Sequence, residues 1–189
     1  MVDIAVFYCA PICYEHSSLP YFRSALRSNR NRFEEGGGMK DGLDVIIVDD
    51  DPDVCEVLAD IINRFYKWGN VFVFTDVNEA AIYCINRDIG ISILVVDVYL
   101  GEKSGFQFLD TISTRFATAH EDTIMITGHA SDDVVDMCVA SNVNHLLEKP
   151  VRPFALQLAV RAITSKYLRF AKKLLEDECY SQECVKIIP

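Results

Sequence analysis

Val45-Ile46-Ile47-Val48-Asp49-Asp50-Asp51 is the stretch that decides how this chain folds. Four consecutive apolar, mostly β-branched residues read as a strand buried on both faces, because a strand with one wet face alternates apolar with polar. The acidic triplet ends that strand, and a helical stripe begins at Asp53. Val54, Val57, Leu58, Ile61, Ile62 and Phe65 fall on one face of a helix running to Tyr66. The same alternation continues along the chain. Four further apolar runs predict strands: Val71 to Phe74, Ile91 to Val96, Thr123 to Ile126 and Val143 to Leu147. Between them, helices are predicted from Asp76 through Asn86, from Ser104 to Phe116, and from Ser131 to Ala140, with Ser131 as N-cap and Asp132 and Asp133 in the first turn. Five strand–helix units in succession predict an α/β fold, a doubly wound five-stranded parallel sheet with helices on both faces.

Length and composition agree with that reading. A chain of 189 residues has room for one globular unit with modest extensions. Half its residues are hydrophobic, and 9 Gly with 6 Pro are too few for a disordered or collagen-like chain. The net charge of −10 repels phosphate backbones and anionic lipid, which argues against nonspecific nucleic-acid binding. No apolar run is long enough for a membrane span, and the N-terminus lacks a signal pattern, so a cytoplasmic protein is expected. The 7 cysteines form no CxxC pair, and we read them as free thiols; Cys9, Cys13 and His16 are a weak alternative as metal ligands.

The chemically informative residues stand at the carboxyl ends of the predicted strands. Asp49, Asp50 and Asp51 follow the first, Asp97 closes the third, Thr127 the fourth, and Lys149-Pro150 the fifth. In the strand order 2-1-3-4-5 the first and third strands are neighbours, and ligands bind where that order reverses. A strand spacing of about 4.8 Å then brings Asp97 close to Asp49 and Asp50. Carboxylates so placed repel one another until one takes a proton or a cation neutralises them. Oxygen donors suit a hard ion, and Mg²⁺ favours one or two carboxylates plus a phosphoryl oxygen, so the cluster reads as a magnesium site prepared for phosphoryl chemistry. Lys149 has a stem long enough to reach Asp97, and Thr127 offers a hydroxyl from the strand between. Taken singly, the acidic run is a solvated loop and the Lys-Pro an ordinary turn; their convergence on one sheet edge favours a site.

These residues resemble the receiver domain of two-component response regulators. The likeness covers about Leu43 to Tyr167 and rests on Val-Asp-Asp-Asp-Pro at 48 to 52, Leu-Val-Val-Asp at 94 to 97, Gly105, Ile-Thr-Gly at 126 to 128 and Glu-Lys-Pro at 148 to 150. It implies that Asp97 accepts a phosphoryl group from a sensor histidine kinase or phosphotransfer protein. It implies also that Asp49, Asp50, Asp97 and the backbone carbonyl of Tyr99 hold Mg²⁺, and that Thr127 and Lys149 bind the phosphoryl oxygens. A cis bond before Pro150 and an unidentified downstream protein target belong to the same implication. On this reading the chain is a switch and not an enzyme, catalysing only its own phosphorylation and dephosphorylation.

Two positions depart from the family pattern, and two more bear on the lifetime of the phosphorylated state. Gly101 stands where the family usually has proline, which frees that loop. Leu146 stands where an aromatic ring usually serves the switch; His145 beside it reads as an exposed imidazole. Tyr99 and His129, two residues after Asp97 and Thr127, are bulky rings expected to hinder the hydrolytic water and prolong the life of the acyl phosphate. Two other function classes fit parts of the pattern: a docking module that keeps the fold alone, and a haloacid-dehalogenase-type phosphohydrolase, which would want an aspartate where Tyr99 stands.

Residues 1-42 read as an N-terminal extension, 43-167 as the receiver domain and 168-189 as a helical C-terminal extension. The three glycines at 36 to 38 make a flexible joint. The purine-rich codons implied by Glu34 to Gly38, just before Met39, raise a second reading in which translation starts at Met39. Leu156, Val160, Ile163, Tyr167, Phe170 and Leu174 recur at four and three, a seam that serves equally for packing on its own domain or for a homodimer through the C-terminal helix.

Overall fold

The computed structural model describes residues 43–87 and 90–176, with the side chains of Phe170, Ala171 and 173–176 excepted. The N-terminal cysteines, His16, the triple glycine and Met39 lie outside the described residues, as do Phe170 and Leu174 of the seam as side chains.

The strands are β1 (Val45–Val48), β2 (Val71–Phe74), β3 (Ile93–Asp97), β4 (Tyr99–Leu100), β5 (Lys103–Ser104), β6 (Thr123–Thr127) and β7 (His145–Glu148). The helices are α1 (Pro52–Phe65), α2 (Val77–Ile85), α3 (Gly105–Ile112), α4 (Asp132–Ala140) and α5 (Pro153–Glu176). Five strands form one parallel sheet in the order β2-β1-β3-β6-β7, so the expected 2-1-3-4-5 topology stands. The pair β4-β5 is a separate antiparallel hairpin, additional to the five expected strands.

Continuous apolar strands split their side chains between two cores, because successive residues point to opposite faces. Val45 and Ile47 of β1 join Ile93, Val95, Ile124 and Ile126 beneath α1 and α5. Ile46 and Val48 join Leu94, Val96 and Met125 beneath α2, α3 and α4. Leu156, Val160, Ile163 and Tyr167 of the seam are all buried in the first of these cores. That part of the seam is therefore spent inside the domain.

Helix starts follow from side-chain capping of orphan N–H groups. The Asp51 carboxylate accepts from Asp53 and Val54, Asp76 from Asn78 and Glu79, and Ser131 from Val134, while Ser104 and Gln107 form a reciprocal capping box. α3 ends at Ile112, four residues before the expected end; Phe116 is nonetheless fully buried in the second core. At the amino end of the sheet, Asp122 is buried and accepts hydrogen bonds from the Tyr167 hydroxyl and, at 2.7 Å, from the Lys166 ammonium. This cluster fastens α5 to the chain entering β6. Burial and the Asp122 charge push the Tyr167 phenol well above its ordinary value. Among the described residues no helix is long and apolar enough to cross a membrane.

Candidate functional site

Each residue of the site is delivered by a strand end. Asp49 continues β1, Asp97 is the last residue of β3, Thr127 the last of β6, and Lys149 follows β7. Lys149 is placed by its own N–H, which donates to the Thr127 carbonyl at 2.8 Å; the bond from Lys149 to Pro150 is cis.

The structure brings the acidic residues together. Asp49, Asp50 and Asp97 each present a carboxylate oxygen within 4.8 Å of the others. Asp49 is buried and Asp50 is exposed, so the cluster is dry at its base and open at its rim. The Lys149 ammonium donates to Asp97 Oδ2 at 2.6 Å and lies 2.7 Å from Asp49 Oδ2. Backbone donors fix the remaining oxygens: the Asp51 N–H donates to Asp49 Oδ1 at 3.0 Å and the Tyr99 N–H to Asp97 Oδ1 at 3.2 Å. Asp49 Oδ2 is fully buried and faces the Lys149 ammonium as an ion pair. Such an atom is costly to bury unless a cation completes its shell.

Electrostatics follow from that geometry. Burial holds the Asp49 carboxyl above the usual range, while the Lys149 ammonium and the Asp51 N–H pull it back. Burial draws the Lys149 ammonium down, and hydrogen bonds and charge from Asp49 and Asp97 more than reverse this, leaving it above its ordinary value. Three carboxyl groups face one ammonium, an excess of acidic oxygens of the kind a divalent cation suits. Behind the cluster, Cys55 donates its thiol to the Asp49 carbonyl at 3.3 Å, and burial together with the Asp49 charge pushes that thiol up to about 11. It is a packed residue and no nucleophile.

The Thr127 hydroxyl is buried, donates to the His129 carbonyl at 3.0 Å and accepts from the His129 N–H at 3.2 Å. Tyr99 and His129, each two residues beyond a site residue, carry exposed rings. Leu146 packs partly buried against the second core, and His145 is half-buried, its imidazole pulled below the ordinary value by burial.

The structure gives a physical reason for one residue of the motif set and adds a hairpin that was not among the expected strands. Gly105 lies so close to the strand end that a Cβ there would sit 2.2 Å from the Asp97 carbonyl oxygen, which explains glycine at that position. The β4-β5 hairpin carries Tyr99 and turns at Gly101, whose φ is +62°. A glycine followed by a polar residue between two short runs is a hairpin signal, and the position could have been read as one.

The chain belongs to the response regulator receiver domain family, whose description matches residues 45–161. It is 24% identical over 123 residues to the two-component response regulator PprB of Pseudomonas aeruginosa, a match covering 65% of this chain and 44% of that protein. The chain thus corresponds to less than half of that relative. It is 25% identical over 114 residues to an uncharacterised 14.6 kDa protein of Leptolyngbya boryana, covering 60% of this chain and 84% of the other. Among solved structures it resembles a CheY-like receiver domain from Methanospirillum hungatei, with TM-score 0.58, 19% identity, and coverage of 68% of this chain and 98% of that one. A receiver domain from Clostridium thermocellum matches similarly, with TM-score 0.58, 20% identity, and coverage of 70% and 98%. At these identities the structural likeness establishes the fold.

Proposed function

We propose that this receiver domain is a phosphorylation-dependent switch with Asp97 as its acceptor. The observation that carries the reading is the Lys149 ammonium 2.6 Å from Asp97 Oδ2 beside the two further carboxylates. An Asp97 oxygen attacks the phosphorus of a phosphohistidine on a sensor kinase or phosphotransfer protein. The new O–P bond forms as the P–N bond breaks, and the imidazole nitrogen keeps the electron pair. Lys149 then faces the transferred group, and Thr127 turns its hydroxyl toward a phosphoryl oxygen, so that positive charge and a donor meet the negative charge gathered there.

Asp49, Asp50, Asp97 and the Tyr99 carbonyl are the residues that would hold Mg²⁺, and a set of oxygen donors with carboxylates gathered within 4.8 Å fits that ion. When bound, Mg²⁺ neutralises the carboxylates and withdraws charge from phosphoryl oxygens. The exposed rings of Tyr99 and His129 flank the route of a hydrolytic water and prolong the phosphorylated state.

Incubation with acetyl phosphate and Mg²⁺, followed by intact mass, tests the reading. The expected result is one added phosphoryl group on the parent and none on Asp97→Asn. Phosphate release without an adduct would instead favour a hydrolase, and no reaction a docking module; either overturns the switch.

A further inference from the structure

Thr127 is held in a bonded state that phosphoryl binding has to undo. A hydroxyl carries one proton to donate. Here that proton goes to the His129 carbonyl at 3.0 Å, and the His129 N–H donates back at 3.2 Å. Thr127 therefore has to leave His129 before it donates to a phosphoryl oxygen.

The same loop is fastened at a second point. The Ala130 N–H donates to Glu148 Oε1 at 3.2 Å, and His129 Nδ1 lies 3.9 Å from that oxygen. Glu148 is the last residue of β7 and directly precedes Lys149, so the anchor sits on the strand that supplies the ammonium. Gly128, between Thr127 and His129, has open space where a Cβ would stand.

We propose that Glu148 is a positioning residue that brakes the switch. By holding the Ala130 N–H it keeps the His129 carbonyl on the Thr127 hydroxyl, and the loop gives up Glu148 before Thr127 can serve a phosphoryl oxygen. The brake rests on the reading of Asp97 as acceptor. Its strength is that of one partly exposed hydrogen bond to a carboxylate.

Beryllofluoride titration of the full chain in Mg²⁺ is the test, with the parent, Glu148→Ala and Glu148→Gln compared. Removal of the acceptor in Glu148→Ala should tighten beryllofluoride binding by about 2- to 10-fold, the range of one net hydrogen bond. Glu148→Gln keeps an acceptor oxygen for Ala130 and should fall near the parent. Hydrogen exchange at the Ala130 amide, measured without ligand, should accelerate in Glu148→Ala only, a signature that altered stability alone would spread over the domain. Binding by all three proteins with equal or weaker affinity in Glu148→Ala overturns the brake and leaves the acceptor reading intact. Unchanged Ala130 exchange does the same. Failure of the parent itself to bind beryllofluoride overturns the acceptor reading and the brake with it.

Discussion

Replacing Lys149 with methionine removes the one ammonium that touches both Asp49 and Asp97 while keeping most of the apolar stem. Its two ion pairs are short, 2.6 and 2.7 Å, and the Asp49 side chain is 1% exposed. Stripping one partner from a buried ion pair costs about 3–5 kcal/mol. The lysine side chain is 24% exposed and a stranded carboxylate can take up a proton, so the loss here is about 2–3 kcal/mol. For a chain of this size that lowers Tm by about 4–12 °C.

The pH dependence has a definite sign. Burial already raises the Asp49 carboxyl, and without the ammonium the rise is larger. A carboxyl whose folded value lies above its unfolded one favours folding at low pH and loses that contribution as pH climbs through the folded value. The deficit of Lys149→Met is therefore large at neutral pH and shrinks toward about pH 4, near the ordinary carboxylate value. Mg²⁺ should stabilise the variant more than the parent, because the ion no longer competes with an ammonium for the same oxygens. Urea denaturation with chelator and with saturating Mg²⁺, at both pH values, reads all of this. A variant as stable as the parent at neutral pH without Mg²⁺, or an equal gain from Mg²⁺ in the two proteins, refutes the reasoning.

Two further outcomes are expected. Gly105→Ala forces a Cβ to within 2.2 Å of the Asp97 carbonyl oxygen and 3.0 Å of the Met125 methyl, so α3 has to back away from β3; thermal unfolding should show a loss of about 1–3 kcal/mol, and a parent-like Tm would contradict the close approach. The double variant Tyr99→Asn, His129→Glu removes both exposed rings and should shorten the acyl-phosphate half-life, measured by phosphate release after rapid removal of the donor; a half-life equal to or longer than the parent's would show that the rings do not obstruct water.

What was legible in the sequence had a local cause. The runs at Val45 to Val48 and Val71 to Phe74 are bounded by acidic or polar residues, and their strand limits coincide with the observed ones. Two-sided burial of those runs indicated a parallel sheet covered on both faces; the order 2-1-3-4-5 came from the flavodoxin-like pattern, and the juxtaposition of Asp97 with Asp49 and Asp50 followed from that order. Where sequence and structure part, the cause lies in long-range packing. α3 ends at Ile112 although Phe116 continues its apolar spacing, because Phe116 reaches the core from a turn. Tyr167 has the spacing of a seam position; its hydroxyl is committed to Asp122, 45 residues earlier in the chain, which no periodicity reveals. The bond from Ala130 to Glu148 joins a loop to a strand end 18 residues on and left no trace in composition.

The turn at Gly101 constrains which neighbours of this sequence can share its geometry. Proline locks φ near −65°, whereas Gly101 sits at +62°, so the residue common at this place elsewhere in the family could not be introduced without dismantling the hairpin. Tyr99 and Leu100 pair with Ser104 and Lys103 across that turn, and Lys103 reaches Asn78 on α2 at 2.5 Å. A change to proline would thus propagate from an exposed bend to the backbone carrying Tyr99, and from there to the oxygen shell around Asp97. The hairpin from residue 99 to 104 thus lasts only while residue 101 tolerates a positive φ.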